Sequence, residues 1–154
     1  MTIEISPAEI LYRVRDKAQD ELAVSVPDET LRYKIEPGSE KEDKVKTYIL
    51  ESFEDLCASV WRFLSEKTQS DYVDIGNSAT ALPDRFVLEF SISERRAAGK
   101  AAMVANKCMA FFVEFTLARY YLDIGQVALS QNHSLLAVGE QDKISKLLYT
   151  KALP

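Results

Sequence analysis

Apolar residues recur at helical spacing in four stretches of the chain and alternate in two shorter ones. Ile10, Leu11, Val14 and Ala18 lie on one face of a first helix, predicted over about 7–22. Ser6-Pro7-Ala8-Glu9 opens it with a capping box and a proline at the first helical position, which leaves few backbone N–H groups unsatisfied. A second series, Val45, Ile49, Phe53, Leu56, Val60 and Phe63, steps by three or four and is widened by Cys57, Trp61 and Leu64. It predicts a helix over about 40–67, entered through Ser39 and an acidic first turn that complements the helix dipole. The most regular repeat is Ala97, Ala101, Val104, Cys108, Phe111, Phe115, Ala118 and Leu122, which predicts a central helix over about 94–122, capped at Ser93 and stopped near Gly125. Leu135, Leu136, Ile144, Leu147 and Leu148 mark a last helix over about 131–151, interrupted or tightly packed at Gly139.

Period-two alternation appears at Leu31, Tyr33 and Ile35, and again at Phe86, Leu88, Phe90 and Ile92. These predict short strands over 31–35 and 86–92 that can pair with each other. The polar, turn-rich stretch 68–84 reads as a long connection and a candidate adaptable arm. The sum is one mainly α domain over 1–154: about four helices in a bundle with at most a minor two-stranded β element.

Composition narrows the class. With 154 residues, 47% of them hydrophobic and 28% charged, the chain is long enough to bury one real core without staples. Two cysteines and one histidine cannot assemble a disulfide framework or a four-ligand zinc site. No uninterrupted apolar run approaches a membrane span of ~20 residues, and Met1-Thr2-Ile3-Glu4 lacks the features of a signal peptide. The net charge of −5 is unevenly spread: residues 1–77 carry 10 Lys/Arg against 17 Asp/Glu, residues 78–154 carry 9 against 7. An acidic front half argues against nucleic acid as the main partner.

Candidate chemistry is sparse. Ala98-Gly99-Lys100-Ala101 fails as a phosphate-binding loop, because Glu94 stands where the first glycine belongs and Ala101 where a hydroxyl belongs. His133, within Gln131-Asn132-His133-Ser134, reads as part of a polar loop or helix cap, with no nucleophile at a recognisable spacing. Cys57 and Cys108 fall on apolar stripes and read as buried structural thiols. Asp71 and Asp74 lack the alternating oxygens of a calcium loop. Glu114, between Val113 and Phe115, is the carboxylate best placed to border the core, with Arg13 or Arg62 as expected ion-pair partners. Arg95, Arg96 and Lys100 form a basic cluster at the entrance of the central helix and are the candidate protein-contact residues. No catalytic residue, cofactor or metal is called for.

The run from Phe86 to Lys100, the apolar helix ending Leu117-Ala118-Arg119-Tyr120-Tyr121, and the closing stretch Asp142–Lys151 together resemble a family in the order of their features. That family comprises small uncharacterised helical proteins encoded in structural gene blocks of tailed phages and prophages of gut Bacteroides. Many of its members carry an acidic-Trp pair where this chain has Tyr120-Tyr121. The resemblance implies a non-enzymatic virion protein of the neck or tail, connector-like, present in the host cytoplasm during assembly and then in the particle. Its partners would be copies of itself or other virion subunits. The opposed charge bias of the two halves suits head-to-tail contacts that close into a ring. The alternative is a cytoplasmic helical adaptor that binds a partner helix in an apolar groove.

Overall fold

In the computed structural model the chain is described over residues 1–29, 42–69 and 82–149. In order, its elements are strand β1 (Thr2–Ile5), helix α1 (Pro7–Ser25), helix α2 (Glu42–Ser59), a 3-10 turn at Trp61–Phe63, strand β2 (Phe86–Glu89), and helices α3 (Glu94–Ala97), α4 (Ala101–Asp123) and α5 (Val127–Tyr149). The fold is mainly α with a two-stranded antiparallel sheet. The expected strand 31–35, most of the 68–84 connection and the end of the tail lie outside the described residues.

α4 is the centre. Its apolar repeat is wider than one stripe, and Val104, Cys108, Phe111, Phe112, Leu117, Tyr120 and Tyr121 are all buried. α1, α2, α5 and the sheet pack around it. By length and composition α4 is apolar enough to cross a membrane, and half of its most apolar window is buried inside the protein. A stack of rings ties the layers together: Phe53 of α2 lies 4.4 Å from Phe86 of β2, and Phe86 lies 5.6 Å from Phe112 of α4.

β2 pairs with β1, in the register Ile3↔Leu88 and Ile5↔Phe86. Ile3, Ile5, Phe86 and Leu88 all face the core, while Glu4 turns outward to an ion pair with Arg85 at 2.9 Å. The N-terminal strand escapes the sequence pattern because two isoleucines in four residues are too few to register as alternation.

α1 runs on to Ser25, past its expected end near 22, and three further boundaries differ from the expected ones, each for a local reason. α2 ends at Ser59 instead of running to 67. Val60, Phe63 and Leu64 still fill the core, but from a 3-10 turn and an isolated bridge between Leu64 and Phe90. Ser65 N donates to Glu89 O and Ser91 N to Phe63 O, so the backbone joins the sheet edge. The predicted 94–122 helix is split: Gly99 at φ +73 turns the chain between α3 and α4. α5 begins earlier than expected, at Val127, and runs unbroken through Gly139. Gly125 at φ +81 closes α4 with Gln126 N on Tyr121 O and Gly125 N on Leu122 O. This pair of bonds is a Schellman motif, and it leaves room for only a short turn before α5 folds back along α4.

The inward face of α5 also departs from expectation. Leu135 is 74% exposed, whereas Ser130, His133, Ala137, Ile144 and Leu148 are buried. Polar and small residues at the front of that stripe conceal its period. Gly139 lies on the exposed side, where an added Cβ would meet nothing within 4 Å. It therefore serves no close packing and lowers helix stability through backbone entropy alone. Gly139→Ala should raise stability by ~1 kcal/mol in urea denaturation with an unchanged m-value; a loss would show that the glycine is required where it stands.

Candidate functional site

The titratable side chains that the helices bring together come from α1, α4 and α5. Lys17 and Glu21 sit one turn apart on α1, Glu114 lies midway along α4, and His133 lies on the buried stripe of α5. His133 Nδ1 is hydrogen-bonded to Glu114 Oε2. His133 Nε2 lies 2.9 Å and 2.8 Å from the two oxygens of Glu21. The second oxygen of Glu114 accepts from Lys17 Nζ at 2.6 Å. The Tyr121 ring stands 5.4 Å from the imidazole. Nearby, Ser130 Oγ donates to Ala118 O at 2.7 Å and holds α5 against α4.

Two carboxylates on opposite ring nitrogens determine the protonation state. A neutral imidazole has one N–H, so one of its nitrogens would present a lone pair to a carboxylate lone pair. The imidazolium donates to both. Burial works against that charge, but hydrogen bonds to Glu114 and Glu21 outweigh it and raise the His133 pKa above its ordinary 6.5. Burial likewise pushes Glu114 upward, yet its bonds to His133 and Lys17 win and hold its carboxyl below the ordinary 4.5. Burial and the adjacent Glu21 push the Tyr121 phenol upward, so it stays neutral. With two cations and two anions the cluster carries no net charge, which is the condition under which ionised groups are tolerated in a core.

Chemically, the arrangement holds a proton without presenting it. Both ring nitrogens are occupied by carboxylates, which leaves no lone pair for a metal. Among the described residues no group of His, Cys, Asp and Glu is arranged to hold a metal ion.

His133 is thus a buried helical residue and not part of a polar loop, because α5 starts at Val127, well before it. Glu114 pairs with Lys17 and His133, not with the expected arginines. Arg13 is engaged by Glu9 at 3.0 Å, and Arg62 lies over the Tyr149 ring at 4.3 Å. Lys17 and Glu21 are not legible as partners in the sequence, although their spacing beside Ala18 and Leu22 places them at the edge of a buried face. Cys57 and Cys108 are buried as expected, and burial pushes both thiols up to about 12, where they are inert.

The basic cluster is divided. Arg95 is exposed on α3, and Arg96 follows it in the same helix. Lys100 is fully buried, with Nζ on Leu147 O at 2.9 Å. There it neutralises the carbonyl end of α5, an internal role that removes it from any surface contact.

The pKa directions set a pH window for stability. A raised His133 pKa contributes stability that is complete below about 6.5 and is lost as pH rises through the folded-state value. A lowered Glu114 pKa contributes stability present above about 4.5 and lost as pH falls through its folded-state value. Thermal melts across this range should peak between those limits. Glu21→Gln should cost about 3 kcal/mol within the window and flatten the alkaline decline; an unchanged alkaline slope would show that His133 does not carry it.

No family model, curated protein or solved structure matches this chain.

Proposed function

We propose that this chain is a non-enzymatic structural protein of a phage or prophage virion, in the neck or tail, that works through contacts with other subunits. One observation carries the reading of protein contact: apolar side chains are left on the outside of the α4–α5 hairpin. Leu122, Val127, Leu135 and Val138 are all more than half exposed and lie along its length. Isolated exposed apolar residues are ordinary, but four on one hairpin make it the candidate contact surface. Four ionisable groups, Lys17, Glu21, Glu114 and His133, are by contrast paired with one another where α1, α4 and α5 meet.

The virion setting is supported by the family resemblance over 86–154. In that setting the chain is made in the bacterial host cytoplasm and ends in the particle, with itself or other virion proteins as partners and a head-to-tail ring as the natural closed form. Arg95 and Arg96 remain candidate contacts of this assembly; Lys100 does not. Mass spectrometry of purified particles from an induced prophage should recover the chain in stoichiometric amounts. Its absence from intact particles, with expression in the cell verified, would overturn the virion role.

A further inference from the structure

We propose that the furrow between α2 and α5 is a docking site for an amphipathic helix of another protein subunit, apolar on one face and flanked by Lys and Arg. The inference deepens the assembly role and rests on it only in taking a protein as the partner.

The furrow arises from how the three long helices meet. α2 and α5 both pack against α4 and meet each other only sparingly, with Gln141 Nε2 donating to Asp55 Oδ2 at 3.3 Å. The face of α4 between them is left partly uncovered. A cavity of about 290 Å³ opens over Phe111, Phe115 and Leu122, with Val138 on its far side. Sharing Asp55, Phe115 and Arg119 with it, a shallow open depression reaches Glu51 and Glu54. Phe115, Ala118 and Leu122 step by three and four along the floor. A helix laid over them would meet that floor with side chains of the same period, the mode by which grooves recognise helices.

Charge identifies the kind of helix. Glu51, Glu54 and Asp55 stand within five residues on the α2 wall. Among the described residues neither Glu51 nor Glu54 has an ion-pair partner. The facing cation, Arg119, has its guanidinium over the Phe115 ring at 5.2 Å and so extends the floor. Three carboxylates against one arginine leave the wall acidic. Its complement is a helix with basic residues on that flank, and the charges would set its orientation and speed its encounter while the floor supplies affinity. Two furrows facing each other in a symmetric pair are a poorer fit, because the α5 segment beside the furrow presents Ser134, Val138 and Gln141 and no cation to meet the acidic wall.

The test uses the full chain and two synthetic helices of about 18 residues, five turns each. Both carry the same leucine face, one flanked by lysine and the other by glutamate. Fluorescence anisotropy should show the lysine peptide binding ~10-fold more tightly than the glutamate peptide. Amide shifts in the protein should concentrate in 51–58, 111–122 and 130–141. Leu122→Asn and Val138→Asn alter exposed side chains, spare the core, and should weaken the lysine peptide; the pair Glu51→Gln and Glu54→Gln should narrow the gap between peptides. Equal binding of the two peptides, shifts spread over the acidic surface elsewhere, or indifference to Val138→Asn would overturn the proposal. So would light scattering that shows the free chain pairing with itself and losing that pairing in Val138→Asn. A chain absent from particles that still binds the lysine peptide would overturn only the virion setting. A particle component that ignores the peptide would overturn only the furrow.

Discussion

A carboxylate in the middle of the most buried helix is the constraint to which the surrounding helices answer. Glu114 is 8% exposed on α4, a helix covered by α1, α2 and α5. Left alone it would have to become neutral or pull the fold open, because an unpaired ion in a core costs several kcal/mol (~3–5). Lys17 and His133 answer it from two sides. His133, once charged, itself requires a second anion, and Glu21 supplies that from the same stretch of α1 that brings Lys17. One buried charge thus recruits three others, and together they specify how α1 lies across the α4–α5 hairpin.

Apolar packing and this polar network divide the work. The Phe53–Phe86–Phe112 stack and the Ile3, Ile5, Leu88 face of the sheet close one side of α4 without any polar group. The Schellman turn at Gly125 aligns α5 along α4, and Ser130 on Ala118 O secures the start of α5. One charged cluster is held inside, while several apolar side chains of the α4–α5 hairpin stay outside. The proposed role in assembly draws on two surfaces among the described residues, the exposed hairpin side chains and the acidic furrow.

Much of the architecture is legible in the residues. Val104, Cys108, Phe111 and Ala118 of the central repeat are buried on α4 as predicted, whereas Phe115 is partly covered and Ala101 and Leu122 are exposed; Ser6 caps α1 as expected, with its side chain accepting from Glu9 N. The cysteines lie where their stripes put them. What is not legible has physical causes. Apolar period cannot distinguish a helix from a 3-10 turn that feeds the same core, so Val60, Phe63 and Leu64 extend the expected second helix too far. A positive-φ glycine at 99 breaks a helix without breaking the hydrophobic repeat on either side. His133 is hidden because its stripe, Ser130, His133 and Ala137, is polar or small where the core accepts a charge instead of a leucine. Lys100 reads as a surface cation in sequence, yet the end of α5 captures it.

The protonation of His133 decides whether this account of the core is right. The chain contains one histidine, so nitrogen-15 imidazole spectra of the intact protein report it without ambiguity. At about pH 7 both ring nitrogens should carry protons, with the charged form persisting above the unperturbed histidine range. A neutral tautomer with one bare nitrogen at that pH would contradict the account, because one of the two carboxylates would then face the ring with nothing to bind.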